Sequence, residues 1–154
     1  MFLNPGQLIE AIRQTRLVSI DLIARDPQGR VLAGMRTNRP AQNYWFVPGG
    51  RICKDERLAD AFRRISLNEL GVAFELSQAQ FHGVYEHLYE DNFARVPGLS
   101  THYVVLAYML QLDAPLPDPP EEQHQAFHWF TVAELLAAGD VHANTKAYFP
   151  EGKG

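Results

Sequence analysis

The length, composition and charge of this sequence set clear bounds. Its 154 residues are enough to bury one hydrophobic core, so we expect a single domain over residues 1–154. The 14 basic and 18 acidic residues give a net charge of −4, which argues against a general attraction to nucleic acid or to an anionic membrane. Cys53 is the only cysteine, and neither a signal segment nor an apolar run long enough to cross a bilayer is evident. We therefore expect a cytoplasmic protein with no nucleic-acid or membrane partner.

The N-terminal part of the chain predicts a helix followed by paired strands. Apolar spacing and polar breaks assign, in order, a helix over residues 5–15, strands over residues 17–24 and 30–34, a loop over residues 37–43 and an apolar core run over residues 44–47. The two strands are joined by Asp26-Pro27-Gln28-Gly29, with proline and glycine where a tight turn uses them. These strands are therefore expected to form a hairpin.

The C-terminal half predicts further strands and one more helix. The assigned segments are strands over residues 81–88, 102–112 and 127–130, a connecting loop over residues 89–98, an extended proline-rich loop over residues 114–120 and a helix over residues 132–138. Thr131 is expected to cap that helix, with Glu134 completing a capping box. Mixed strands with two or three helices predict an α/β sandwich around a mixed β-sheet.

The most informative pattern is a spaced set of glycines and charged residues between positions 49 and 72. Its members are Gly50, Glu56, Arg64, Glu69 and Gly71. The apolar positions 58, 61, 62 and 65 follow helical spacing, so a strand, a glycine loop and a helix follow one another. Positions 65, 68 and 69 lie on neighbouring turns of one helix face. Ile65 and Asn68 are not acids, so Glu69 is the only carboxylate among these three positions.

This spacing resembles the Nudix box, in which a glycine is followed by a glutamate, an Arg-Glu pair, a Glu-Glu pair and a final glycine. Two of the acids of that box are missing here. A closer resemblance, to the GDP-mannose mannosyl hydrolase (GDP-mannose glycosyl hydrolase) subfamily, extends over nearly the whole chain. The matching segments are residues 17–21, 36–42, 44–51, 91–93, 101–105, 122–124 and 141–144.

The resemblance implies a Nudix-type α/β/α sandwich. It also implies Mg²⁺-dependent hydrolysis of GDP-mannose, and of GDP-glucose, to GDP and free sugar by water attack at the anomeric carbon with inversion.

The resemblance also assigns roles to individual residues. The metal ligands would be the backbone carbonyl of Gly49, a carboxylate oxygen of Glu69 and the amide oxygen of Gln123, holding one Mg²⁺ per chain, with Mn²⁺ as a substitute. These are the hard oxygen ligands that Mg²⁺ prefers. The other matched positions are Arg36, Arg51 and Arg64 for binding the diphosphate or organising the site, Asp21, His87 and Tyr103 for the leaving-group side, and His124 as the general base. The subfamily is commonly dimeric, so we expect a homodimer, and exposed Phe2 and Leu3 are candidates for reaching the partner.

The residues themselves leave several of these roles open. Arg64 suits an ion pair with Glu56 as well as a phosphate contact, because a fixed guanidinium fork serves either. Asp21 sits in an apolar strand and therefore needs partners, either substrate groups or Arg36. His124 is expected on a loop beside Gln123, after the proline-rich segment. A histidine on a loop is often merely exposed, so the residues alone leave its role as base open.

The remaining histidines divide into two groups. Aromatic neighbours or strand positions explain His82, His128 and His142 as structural residues. His87 and His102 stay undecided from the residues alone.

Two other functions remain as alternatives. One is a Nudix pyrophosphatase that cleaves a nucleoside diphosphate sugar at phosphorus. The other is a non-catalytic nucleotide-sugar binding domain with a degenerate box. The missing acids argue against the first, and the retained Glu69, Arg64, Gln123 and His124 argue against the second.

Overall fold

The structure is a computed structural model that describes residues 2–116 and 124–150, with the backbone alone at residues 124 and 125. Its helices and strands are, in chain order, α1 (Pro5–Gln14), β1 (Leu17–Arg25), β2 (Val31–Arg36), β3 (Trp45–Phe46), β4 (Gly49–Arg51), α2 (Leu58–Leu70), a 3₁₀ turn (Leu76–Gln78), β5 (Gln80–Tyr89), β6 (Thr101–Gln111), β7 (His124–Phe130), α3 (Val132–Ala137) and α4 (Ala143–Lys146). No helix in the described ranges is long and apolar enough to cross a membrane.

The strands form one mixed sheet. Its order is β3-β2-β1-β6-β5, with β4 paired to β1 and β7 paired to β2. Strands β1 and β6 run parallel in continuous register, from Leu17 opposite Tyr103 to Arg25 opposite Gln111. The other pairings are antiparallel. The mixed sheet predicted from the sequence is therefore confirmed.

Helices cover both faces of the sheet. Successive side chains of a strand point to opposite faces. Leu22 of β1 accordingly packs in one core cluster with Phe62 of α2, whereas its neighbour Ile23 packs in a second cluster with Leu135 of α3. Full burial of a large apolar side chain stabilises the fold by roughly 1.5–3 kcal/mol. The two clusters confirm the expected α/β/α sandwich.

The local signals for helix ends and turns are confirmed. The Thr131 hydroxyl accepts the Glu134 N–H, and the Glu134 carboxylate accepts the Thr131 N–H, which is the predicted capping box of α3. Helix α2 ends at Gly71, which has a left-handed φ of 79° that favours glycine. In the turn after β1, the buried carboxylate of Asp26 accepts hydrogen bonds from the backbone of Gln28 and Arg30, as the predicted hairpin requires.

Other features differ from the sequence prediction. Strand β4, the 3₁₀ turn and α4 were not expected, and the described residues contain four α-helices rather than two or three. His124 is the first residue of β7 and pairs with Arg36, so its assignment to a loop was wrong. Pairing with β2 extends this strand through His124, Gln125 and Ala126, which lack an alternating apolar pattern. Most of the proline-rich loop, and Glu121, Glu122 and Gln123, lie outside the described residues.

Candidate active site

A cavity of about 570 Å³ opens beside the glycine loop, within the size range of small-molecule sites. Residues from β1, β4, α2, β5 and β6 line it. It brings together Asp21, Arg36, Gly49, Arg51, Arg64, Glu69, His87 and Tyr103. These are eight of the ten site residues expected from the sequence. The other two are Gln123, which lies outside the described residues, and His124, whose backbone alone is described.

Gly49 and Glu69 form one corner of the cavity. The Gly49 N–H donates to Glu69 Oε1 at 3.3 Å, and Glu69 is only 7% exposed. A Cβ atom at position 49 would overlap Asp21 Oδ1 and lie 2.6 Å from the carbonyl oxygen of Ile20. Only glycine therefore lets β4 approach β1 this closely. The close packing sets the Glu69 carboxylate beside the Gly49 peptide, and carboxylate and carbonyl oxygens are ligands that hard divalent cations prefer.

The two residues that replace acids have different environments. Ile65 is 1% exposed and belongs to the apolar core cluster of α2. Its side chain lies directly beneath Gly50, 3.1 Å from where a Cβ atom would stand. Asn68, in contrast, lines the cavity as a neutral amide. Glu69 is thus the carboxylate that this helix face contributes to the cavity. Among residues 2–116 and 124–150, no group of three or more histidine, cysteine, aspartate or glutamate residues is arranged to hold a metal ion.

Arg64 ties the glycine loop to α2. Its Nε and Nη2 atoms donate to the two carboxylate oxygens of Glu56 at 2.8 and 2.9 Å, and Nη2 also donates to the carbonyl oxygen of Arg51 at 2.7 Å. The Arg64 hydrogen bonds hold the pKa of Glu56 well below its ordinary value, at about 2. The ion pair predicted for Glu56 is confirmed. Because Arg64 also lines the cavity, a phosphate contact by the same guanidinium stays a prediction.

Two further arginines lie on the cavity wall. Arg36 ends β2, and its Nε–H donates to the Pro40 carbonyl oxygen at 2.9 Å, which anchors the guanidinium. Arg51 ends β4, directly after the glycine pair. Burial raises the pKa of Tyr103, and the positive charges of Arg51 and Arg36 oppose that rise, so the phenol and both arginines share one electrostatic environment. These positive charges suit binding of an anionic ligand.

Asp21 has a partner that the sequence did not reveal. The hydroxyl of Tyr148 donates to Asp21 Oδ2 at 2.5 Å. Burial raises the pKa of Asp21 to about 7, and the negative charge of Glu69 adds to the rise, whereas the Tyr148 hydrogen bond and the charge of Arg36 oppose it. Arg36 was expected as a partner, but Tyr148 was missed. Its only sequence signal is the aromatic pair that it forms with Phe149 after α4.

Among the histidines whose side chains the structure describes, His87 is the one that lines the cavity. It is 5% exposed, and burial lowers its pKa to about 4, with a smaller contribution from His142. Its Nε2 atom lies 3.3 Å from the Tyr148 hydroxyl. His102 instead lies 3.2 Å from exposed Glu86 and does not line the cavity. Of the two histidines that the sequence left undecided, His87 therefore lines the cavity and His102 does not.

The three histidines expected to be structural have structural contacts. His82 Nε2 lies 2.8 Å from the carbonyl oxygen of Tyr148. His128 packs edge-on against Phe130, and His142 caps α4 through the N–H of Asn144. For these three histidines the prediction is confirmed.

The backbone of His124 pairs with that of Arg36, a residue that lines the cavity. It stands opposite Arg36 in the register of β7 and β2, after a bulge that separates Gly34 from Arg36. This pairing connects the expected base to a strand that supplies a cavity arginine.

Comparisons with known proteins identify the family and the fold. The family model described as NUDIX domain matches residues 15–151. The MutT NUDIX hydrolase from Burkholderia pseudomallei superposes with a TM-score of 0.69 at 24% identity, covering 88% of this chain and 96% of that one. The NUDIX domain of Shewanella oneidensis NrtR, solved with ADP ribose, gives a TM-score of 0.65 at 16% identity, covering 95% of this chain and 89% of that one. Both likenesses concern the fold.

A curated relative has higher sequence identity over part of the chain. The low-salt glycan biosynthesis protein Agl8 of Haloferax volcanii is 43% identical over 98 residues, which are 63% of this chain and 60% of that protein. The aligned stretch therefore spans about 60% of the length of this relative.

Proposed function

We propose a hydrolase function from the premise that this chain belongs to the Nudix family. The proposed reaction is Mg²⁺-dependent hydrolysis of GDP-mannose, and of GDP-glucose, to GDP and free sugar. Water attacks the anomeric carbon and the configuration inverts. Residues 1–154 are taken as one Nudix domain. The observation that carries the proposal is the box face of α2, where Ile65 is buried in the core, Asn68 is neutral and Glu69 is the remaining acid.

A thinned set of acids favours attack at carbon over attack at phosphorus. Sites that hold two metal ions clamp both the attacking and the leaving oxygen of a phosphoryl displacement. A single carboxylate on this helix face supports fewer ions, and Mg²⁺ sites commonly use one or two carboxylates together with substrate phosphates. The site is then suited to stabilising a departing diphosphate, and the attacking water needs a base elsewhere.

The residues at the glycine corner fit a hard cation. The Glu69 carboxylate accepts the Gly49 N–H, and both residues line the cavity. We propose that Gly49, Glu69 and Gln123 hold one Mg²⁺ per chain, for which Mn²⁺ substitutes. When bound, the ion supplies positive charge for the diphosphate.

The arginines provide the rest of the charge for the leaving group. Arg36 and Arg51 line the cavity, and each can donate charge-assisted hydrogen bonds to diphosphate oxygens. Arg64 holds Glu56 and the Arg51 carbonyl, so its main contribution is to fix the loop that carries Arg51. Asp21, His87 and Tyr103 line the same cavity and are assigned to the leaving-group side. A nucleoside diphosphate is stable as an anion, so no proton donor is required.

We assign His124 as the base that takes a proton from the attacking water. Support comes from its backbone position opposite Arg36, beside the wall that binds the diphosphate in this proposal. Histidine is the side chain best suited to accept a proton near neutral pH.

The relatives suggest related ligands without deciding between them. The name of Agl8 refers to glycan biosynthesis, which is compatible with a sugar nucleotide as substrate. The NrtR domain was solved with ADP ribose, which is also a nucleoside diphosphate attached to a sugar. A pyrophosphatase acting at phosphorus and a non-catalytic binding domain are the competing functions.

Product identity separates these functions. GDP-mannose or GDP-glucose is incubated with the protein and Mg²⁺, and the products are resolved by chromatography and by a reducing-sugar assay. GDP together with free sugar supports the proposal. GMP with a sugar 1-phosphate would establish the pyrophosphatase, and unchanged substrate with measurable binding would establish the binding domain.

We also propose a homodimer. Phe2 and Leu3 are 64% and 44% exposed, and both border the cavity of their own chain, where the Phe2 ring lies 5.2 Å from the Arg64 guanidinium. A partner that covered these side chains would bury apolar surface beside the site. Sedimentation velocity reports the assembly state directly.

A further inference from the structure

The C-terminal segment places a buried phenol between two cavity residues. Tyr148 follows α4 and is 1% exposed. Its hydroxyl contacts both Asp21 Oδ2 and His87 Nε2, at 2.5 and 3.3 Å. Asp21 belongs to β1 and His87 to β5, and these two strands are separated by β6 in the sheet. One side chain therefore connects two strands that do not pair with each other.

The direction of these hydrogen bonds follows from the number of protons available. A phenol has one proton, and Tyr148 donates it to Asp21, which is mostly ionised at pH values above its pKa of about 7. The contact with His87 is then made through a lone pair of the phenol oxygen, which requires a proton on Nε2 of His87. The low pKa of buried His87 keeps its ring neutral near pH 7, with one proton only. A neutral ring with a proton on Nε2 leaves Nδ1 as an acceptor.

Packing around Tyr148 holds the phenol in place. The ring of Tyr85 meets it edge-on at a centroid distance of 4.7 Å, and His82 contacts its backbone carbonyl oxygen. Tyr148 also belongs to the core cluster that contains Ile23 and Leu135. A side chain fixed in this way can hold its hydrogen-bond partners in fixed orientations.

We propose that Tyr148 is a positioning residue, which ties Asp21 through Oδ2 and fixes His87 as the neutral tautomer protonated on Nε2. Asp21 then keeps Oδ1 beside Gly49. His87 keeps Nδ1 as an acceptor. The consequence for turnover rests on the proposed function, whereas the tautomer of His87 does not depend on the identity of the substrate.

The tautomer is measured on the wild-type protein without substrate. Long-range ¹H–¹⁵N correlation spectra of protein labelled with ¹⁵N-histidine distinguish the two neutral tautomers and the doubly protonated ring, and His87→Gln identifies the His87 signals among the six histidines. The expected state at pH 7.5 is a proton on Nε2 alone. A proton on Nδ1 alone, or on both nitrogens, would overturn the proposal. This result stands whether or not GDP-mannose is a substrate, and whether or not a Tyr148 variant folds.

The effect on turnover is measured with Tyr148→Phe, which removes only the hydroxyl. Tyr85→Phe is the matched control, because it removes a hydroxyl from the neighbouring ring, which does not line the cavity. We expect kcat to fall roughly 10- to 100-fold in Tyr148→Phe, with KM little changed, and to stay near wild type in the control. In an Asp21→Asn background, Tyr148→Phe should cause little further loss, because the two groups act as a unit. Equal kcat in the two tyrosine variants, or a full additional loss in the Asp21→Asn background, would overturn the proposal.

Discussion

Glu69 combines two tasks in a single side chain. Its Oε1 atom accepts the Gly49 N–H, which fixes the carboxylate beside the glycine loop. Burial is the main cause of the raised pKa of Asp21, and the negative charge of Glu69 adds to that rise. An amide at this position preserves a hydrogen-bond acceptor but removes the negative charge. The charge and the shape of this corner can therefore be separated by one substitution.

We predict that Glu69→Gln weakens divalent-metal binding at least tenfold while the fold is retained, because the amide loses the charge that a hard cation prefers. Titration of Mn²⁺ in the presence of GDP, followed by electron paramagnetic resonance, should give one tight ion per chain in the wild type. Glu75→Gln is the control, since Glu75 pairs with Arg63 on the surface, with side chains 54% and 63% exposed. Two or more tight ions per wild-type chain would contradict the single-metal site.

Arg36 and Arg51 are predicted to act on the transition state. Replacing either by alanine removes charge-assisted hydrogen bonds to the departing diphosphate and should raise the barrier by about 2–4 kcal/mol. The comparison is kcat/KM for GDP-mannose, with Arg63→Ala as the surface control. Unchanged kinetics in Arg36→Ala or Arg51→Ala would remove that residue from the proposed site.

At the scale of elements, the ion pair between Glu56 and Arg64 connects the glycine loop to α2. Arg64 lowers the pKa of Glu56 from 4.5 to about 2, so the folded state favours the ionised carboxylate. The stabilisation is complete above the ordinary pKa of 4.5 and is lost as the pH falls through about 2. The loop that carries Arg51 is thus held firmly at neutral pH.

This linkage predicts how acid destabilises the protein. The Glu56 contribution amounts to up to about 3 kcal/mol and should disappear between pH 4.5 and 2. Urea unfolding at a series of pH values measures it as the difference between wild type and Glu56→Gln, which should be large at pH 6 and small near pH 2. Glu75→Gln should keep the wild-type pH dependence. A difference between wild type and Glu56→Gln that is independent of pH would contradict the linkage.

Some elements could be predicted from the local sequence, whereas others form only because they pair with a distant strand. Helix α2 follows from its apolar stripe and final glycine, and α3 from its capping box, because these signals act within one element. Strand β4 was missed because Gly49-Gly50-Arg51 has no β-type pattern, and only its pairing with β1 makes it a strand. The same applies to His124, which pairing with β2 places in β7.

The candidate site also contains features that the local sequence predicts and features that depend on tertiary contacts. The residue types in the box could be read from their spacing, including the missing acids. That Ile65 is buried beneath Gly50, and that Tyr148 meets Asp21, depends on contacts between segments 15 and 127 positions apart. Such tertiary contacts leave no local pattern in a single sequence.

At the scale of the whole molecule, a mixed sheet brings all these groups to one cavity. Strands β1 and β6 pair in parallel, which sets the start of β6, with Tyr103, beside the start of β1. Strand β4 pairs with the same strand β1 in antiparallel register and places Gly49 and Arg51 there. The cavity therefore exists only in the assembled sheet, and the function of the molecule is decided by which bond of the substrate is broken there.

The bond that breaks is identified by isotope labelling, and we predict cleavage between carbon and oxygen. Hydrolysis of GDP-α-D-mannose in ¹⁸O-water should place the label in mannose and none in GDP, with the β-anomer formed first, because water attacks the face opposite the leaving group. Mass spectrometry locates the label, and proton NMR at early times reports the anomer. Label in a phosphate would contradict attack at carbon and favour the pyrophosphatase.

The same reaction tests the base. His124→Gln should retain GDP binding, but its hydrolysis rate should be about 10²- to 10⁴-fold lower, because general-base catalysis contributes a factor of that size. The rate of the wild type should rise with pH through one ionisation that His124→Gln lacks. His128→Gln is the control on the same strand, because the His128 ring packs against Phe130 and Trp45 and does not line the cavity. If the label enters mannose but His124→Gln is as active as the wild type, attack at carbon is supported and only the assignment of His124 as the base is wrong. The position of attack and the identity of the base rest on separate measurements.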